Sequence, residues 1–187
     1  MPGVVIGTSL NLGFAGKVSR NIDNIIGARA VKSIISNGAE TLSAIPFGSA
    51  VVLNTDNTYS LFGQAGTGIS AATAANFAGI AVAEVKQMTS YGNVSGAGAY
   101  NPSEPCDVLQ RGSTTVFCKE GTPTAGGKVY ICTVAGTTAA VGDIIATATP
   151  AGSGATAVEL TNCRWTTGKQ DSATLLSEIS ILTRVNP

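Results

Sequence analysis

The sequence predicts an all-β fold, a β-barrel or jelly-roll-like sandwich carrying an irregular N-terminal arm. Three observations predict it. Charged residues make up only 12% of the 187 residues, against about 25% in ordinary globular domains. Helices need Lys, Glu, Arg and Gln on their wet faces, and this chain has few to offer. It is instead rich in Gly, with 23, and in Ala, Ser and Thr, a mixture that favours strands and turns. From Ile45 onward, short apolar runs alternate with turn signals, the pattern of a barrel or sandwich.

Residues 1–44 differ in character from the rest, and the chain divides into this arm and a body spanning 45–187. Gly3, Gly7, Gly13 and Gly16 interrupt any periodicity. One short helical pattern is present: Ser19 is placed to cap, Asp23 falls in the first turn, and Ile22, Ile25 and Ile26 share a face. An apolar but irregular segment finds burial most readily against a partner. Phe14, Arg20, Ile22, Ile25, Ile26 and Arg29 are the residues expected to make such a contact, the arginines pairing with acidic groups at its rim. The same isoleucines also suit an N-terminal strand and helix packed on the chain's own core.

In the body, Phe47 to Leu53 is a strand, Asn54-Thr55-Asp56-Asn57 a turn, and Thr58 to Phe62 the return strand of a hairpin. Residues 63–76 read as a loop. Phe77 to Gln87 is expected to be the longest strand, starting deep in the core and emerging at Glu84 and Lys86. A long loop over 90–105 comes next. Strands are then expected at 106–110, 114–119, 128–134, 144–149, 157–166 and 178–184, punctuated by Gly112, Gly121, Gly126-Gly127, Gly142 and Gly152-Ser153-Gly154.

The chemistry of the side chains excludes several functions. There is no histidine, which removes Ser-His-Asp and Cys-His nucleophilic sites and His-based zinc sites. Glu104 and Asp107 flank Pro105 and read as solvated loop charges rather than a glycosidase pair. The stretch Gly13-Phe-Ala-Gly-Lys17 approaches a phosphate-binding loop, but Asn11 and Val18 occupy the positions that need Gly and Ser or Thr. Trp165 reads as a core aromatic. No enzyme activity, cofactor or metal is expected. Lys and Arg number 11, as do Asp and Glu, with no run of either sign, so nucleic acid is not an expected partner. No apolar stretch approaches the roughly 18 residues of a membrane span, and Met1 to Leu12 lacks the features of a signal peptide. Asn93-Val94-Ser95 matches a glycosylation sequon, which would matter only on an exported chain.

The four cysteines, Cys106, Cys118, Cys132 and Cys163, lie far apart with no C-x-x-C, and are expected as buried reduced thiols, with a disulfide as the alternative. Low charge and zero net charge point to a chain that hides surface in an assembly. A small secreted or surface domain kept soluble by Ser, Thr and Asn is the other reading.

Three stretches together resemble a known family. They are Asn11-Leu-Gly-Phe-Ala-Gly-Lys-Val-Ser-Arg20 leading to Asp23–Arg29; Ile45-Pro-Phe-Gly-Ser-Ala-Val-Val-Leu53 followed by Phe77–Lys86; and Tyr100-Asn-Pro-Ser-Glu-Pro-Cys-Asp-Val-Leu109 with Arg111-Gly112-Ser113 and Gly126–Tyr130. The arrangement, over residues 11–184, resembles the structural cement (capsid decoration) proteins of tailed bacteriophages. The resemblance implies a β-barrel or jelly-roll-like body. It also implies dimers or trimers on the exterior of the virion capsid that clamp neighbouring units of the major capsid protein, with the host cytoplasm as the site of assembly. It supplies no catalytic residues. The alternatives are another β-rich virion component, such as a head fibre or tail protein, and a carbohydrate-binding β-domain.

Overall fold

A computed structural model describes residues 12–19, 23–84, 98–170 and 174–184. In chain order the strands are β1 (Val18–Ser19), β2 (Ile25–Ala30), β3 (Ile35–Ser36), β4 (Ala39–Glu40), β5 (Ile45–Pro46), β6 (Ala50–Leu53) and β7 (Tyr59–Leu61). A 3₁₀ turn, Ala74–Asn76, precedes β8 (Phe77–Ala81) and β9 (Ala99–Tyr100). Then come β10 (Pro105–Phe117), β11 (Lys128–Val134), β12 (Ile144–Ile145), β13 (Thr156–Gln170) and β14 (Leu176–Ile181). The all-β expectation holds: a curled sheet dominates, and that one 3₁₀ turn is the helical element among the described residues.

The main sheet has ten strands in the order β12-β11-β13-β14-β10-β8-β6-β7, with β1 and β2 also paired to β10. β10 is the hinge of this arrangement. Its first half, 105–111, pairs with β2 on one side and β8 on the other. Its second half, 112–117, pairs with β14 and β1. The change of partner falls at a register shift between Leu109 and Arg111, followed by Gly112 at φ +124°. A Cβ at Gly112 would sit 2.1 Å from Asn24 Oδ1, so only glycine fits. Bulges of this kind bend a strand and let it pass from one sheet to another. The sequence signal at Gly112 is real, but it marks a bulge inside one strand, not a turn between two.

Each half curls until its ends touch. Val31, just after β2, forms a parallel bridge to Tyr59 of β7, and Lys32 N–H donates to Tyr59 O at 2.8 Å. That closes a ring of β2, β10, β8, β6 and β7. Cys118, just after β10, bridges Ile144 of β12 in the same way, closing a second ring through β14, β13 and β11. Each closure is a single bridge, which covers part of the unpaired edges that open sheets expose.

The first ring encloses Val31, Ile45, Phe47, Val51, Tyr59, Ala81, Tyr100, Cys106 and Val108. Phe47 meets Tyr100 edge-on at 5.2 Å. The larger core joins Val116, Ile131, Leu160, Trp165, Ile179 and Ile181 to Ala50, Val52, Phe62, Phe77 and Ile80 from β6, β8 and the end of β7. Trp165 is a core aromatic, 1% exposed. All four cysteines are free and buried; burial pushes the Cys163 thiol up to about 12 and Cys118 to about 11.

Several expectations are corrected. The short helix over 19–26 is absent from the described part of that stretch, where β1 and β2 pair with β10 instead. In β2 exposure alternates residue by residue, so Ile25 and Ile26 point to opposite faces rather than sharing one. Helical spacing over so few residues is a weak signal beside an available ladder partner. The strand from Phe77 ends at Ala81, because Val82 N–H turns to Asp107 O and Ala83 N–H to Gly16 O; among the described residues β13 is the longest strand. Residues 85–97, with the sequon, lie outside the described residues. Asp107 is not a solvated loop charge: it is buried on β10, and Tyr100 Oη donates to its Oδ2 at 3.3 Å and to Val82 O at 2.6 Å.

Candidate functional site

Successive side chains of a strand alternate between faces. Ile25, Gly27 and Arg29 form the half-buried face of β2; Ile26, Ala28 and Ala30 form its exposed face. Across the ladder Arg29 stands opposite Cys106 and Ile26 opposite Leu109. On the half-buried side an open cleft of about 420 Å³ lies among Arg29, Leu53, Phe77, Ala78, Gln110 and Arg184. Leu53 and Gln110 lie at the ends of runs whose inward members, Val51 on β6 and Val108 on β10, fill the first ring. The cleft is therefore the open end of that ring.

The geometry of its wall depends on one small residue. A Cβ on Gly27 would lie 2.8 Å from Gln110 Nε2 and 3.2 Å from Tyr59 Oη. Its absence lets Gln110 Nε2 donate to Tyr59 Oη at 3.1 Å. The Arg29 guanidinium then lies 5.9 Å from the centre of the Tyr59 ring, a cation–π distance. Among the described residues no carboxylate pairs with Arg29 or Arg184, whereas Arg111 is paired with Asp23 at 2.5 Å. The site thus offers two cations over a floor of Leu53, Phe77 and Ala78. It holds no cluster of His, Cys, Asp or Glu suited to a metal among the described residues. What it can do is receive an anionic group whose neighbours are apolar.

The contact residues expected from sequence are placed unevenly. Arg29 lines the cleft. Ile25 shares its face of β2, half-buried, and Ile26 lies on the opposite face, 36% exposed. Phe14 is half-buried in the turn before β1, its carbonyl accepting from Lys17 N–H at 3.2 Å. Arg20 and Ile22 lie outside the described residues. Arg184 and Gln110 were not legible as site residues, since the fold joins them to Arg29 from distant parts of the chain. Asn37-Gly38, by contrast, carries a hairpin signal within two residues of sequence, yet the arm expected over 1–44 contained no hairpin.

The family model of the XM1 gp53 minor capsid protein matches residues 3–181. No curated protein matches the chain. Among solved structures it is similar to a chain of "The capsid of Myoviridae Phage XM1", with a TM-score of 0.59 and 15% identity, covering 99% of this chain and 100% of that one; at that identity the likeness is one of fold. With a family model spanning nearly its whole length, the chain belongs to the XM1 gp53 minor capsid protein family and is a structural, capsid-associated protein of a bacteriophage.

Proposed function

We propose that this minor capsid protein is a cement protein: it binds the exterior of the shell and clamps neighbouring units of the major capsid protein, as a dimer or trimer. Its role is structural and not enzymatic, and its partners are proteins, with neither nucleic acid nor membrane among them. Assembly takes place in the host cytoplasm. The observation that carries this reading is the family match over residues 3–181. In this reading residues 1–44 supply the capsid-facing surface although their β1 and β2 are strands of the same sheet as 45–187, and the contact draws on Phe14, Arg20, Ile22, Ile25, Ile26 and Arg29, with Ile25 and Ile26 on opposite faces of β2. The arginines of the cleft, Arg29 and Arg184, support an acidic group on the shell as the counterpart, since complementary charges fix register and speed encounter.

The test adds purified protein to expanded shells made without it. Occupancy by electron microscopy and the temperature of shell rupture are then measured. Saturable decoration of the outer surface with a higher rupture temperature is expected, and a double reversal, R29E with R184E, weakens binding and flattens its salt dependence. Shells that bind no protein, or bind it without gaining heat resistance, would contradict the cementing role.

A further inference from the structure

The strands β3 and β4 stand apart from the main sheet as a two-stranded hairpin, with Ile35 opposite Glu40 and Ser36 opposite Ala39. Its loop is Asn37-Gly38, the one Asn-Gly pair in the sequence. Both residues are exposed and lie at φ +52° and +79°, the positive pair that a type I′ turn demands. Glu40 ties the neck of the hairpin: its Oε1 accepts from the backbone N–H groups of Ile34, Thr41 and Leu42 at 3.0, 3.0 and 2.9 Å. Beyond that neck only the pairing of Ser36 with Ala39 closes the tip. Isolated two-stranded hairpins are marginal in water, so this tip opens locally at small cost.

An asparagine places its side-chain amide carbon, an electrophile, one ring closure away from the backbone nitrogen of the next residue. Three features leave that nitrogen open at Gly38. Its N–H is held by no acceptor among the described residues. A Cβ built on Gly38 would meet nothing within 4 Å, so the space around it is empty. Glycine itself brings no side chain to crowd the attack. Asn57 is the instructive contrast. It too is exposed, in a turn, at φ +68°. The residue after it is the β-branched Thr58, whose N–H is already donated to Asp56 Oδ1 at 3.3 Å. Asn101 precedes Pro102, whose nitrogen has no hydrogen to give up.

We infer that Asn37 is a site of spontaneous covalent modification, cyclising onto the Gly38 nitrogen and reopening as aspartate or isoaspartate. The Gly38 nitrogen gives its proton to solvent base and bonds to Asn37 Cγ. The Cγ–Nδ2 bond breaks, and the leaving nitrogen takes a proton from water and departs as ammonia, which leaves a succinimide ring. Water then opens the ring. Attack at Cγ returns the normal backbone with an aspartate side chain; attack at the Asn37 backbone carbonyl carbon routes the chain through Cγ as isoaspartate. Over the two steps one water is consumed and one ammonia released, with no change of oxidation state. The new carboxyl is ionised at neutral pH, so a chain of zero net charge becomes negative, and the charge sits on an exposed tip. Isoaspartate also adds a methylene to the backbone inside the two-residue turn, where the pairing of Ser36 with Ala39 depends on loop length. The reaction requires no enzyme and no partner, so the product accumulates with the age of the protein.

The test incubates the full chain, folded, at neutral and at mildly alkaline pH, beside the same chain unfolded in urea. Peptide mapping by mass spectrometry follows Asn37 and Asn57, and enzymatic carboxyl methylation detects isoaspartate. Conversion of Asn37 in the folded protein is expected, faster at the higher pH and well before any change at Asn57. G38A should slow it by roughly tenfold or more, because a Cβ crowds the attacking nitrogen. Alanine at φ +79° also strains the turn, so N37Q is run as a second variant: it keeps Gly38, and its longer side chain would have to close a six-membered ring. N37Q should leave this peptide unmodified. Asn37 intact in the folded protein after the unfolded chain has converted would show that the turn protects it, and overturns the inference. Conversion of Asn57 as fast as Asn37 overturns it too, as does an N37Q chain that gains negative charge at the parent rate.

Discussion

Individual carboxylates in this chain make structural bonds that pH can remove. Glu40 sits below the usual carboxylate range, chiefly because Ser33 donates to it, then because of the Leu42 and Ile34 amides. Asp56 falls to about 2 through Lys32 and then Thr58. Both are depressed in the folded state, so their contribution is present above the ordinary carboxylate range of about 4. It is lost as pH falls through the folded values. A carboxyl NMR titration should place the Asp56 midpoint near 2 and the Glu40 midpoint below about 4.3. The amide signals of Ile34, Thr41 and Leu42 should move with Glu40. A Glu40 midpoint at the ordinary value would mean the neck of the hairpin is not closed in solution. The Asp56 bond to the Thr58 amide belongs to the turn that the sequence reads at 54–57, whereas the Glu40 bonds were not readable from sequence, where Glu40 looks like any solvated charge.

At the scale of elements, β14 shows how a strand can be buried without being apolar. It lies between β13 and β10. Leu176, Ser177, Glu178, Ile179 and Ile181 are all buried, and Ser19 Oγ donates to Glu178 Oε1. With a partner on both sides, every amide of its middle belongs to a ladder. Proline at Ile179 removes one and clashes with the next strand. I179P should therefore lose the cooperative thermal transition and the strand-type circular dichroism of the parent. A variant melting within a few degrees of the parent would show that β14 is not central. The run from Glu178 was legible as a strand because its isoleucines alternate with polar residues; its central position was not, because neighbours in a sheet are chosen across the chain.

The whole molecule is two rings that share β10, so neither can open without disturbing the other. Phe47 lies in the first ring's core and Trp165 in the larger one. Emptying either core, by F47A or W165A, should cost about 3–5 kcal/mol. Both variants should lower one and the same transition, with calorimetric and van't Hoff enthalpies equal. Two separated transitions, each sensitive to one substitution, would show the rings to be independent units.

The sequence by itself determined the class and much of the punctuation. Lys128–Val134 is a strand with the expected bounds, and the turn at 54–57 joins β6 to β7. These are local matters: period-two apolar runs and Asn-Asp turns act within a few residues. It also carried a resemblance to phage capsid-associated proteins, which the family match over residues 3–181 bears out. Only the tertiary structure decided that 106–110 and 114–119 belong to one bent strand through Phe117, and that Val18 pairs with Thr114 and Phe117 with Leu176. It decided too that Ile25 and Ile26 face apart, and that Arg29 and Arg184 share a cleft. Ladder partners and ring closure depend on register between segments far apart in the chain, and local periodicity carries no information about which segment will lie alongside.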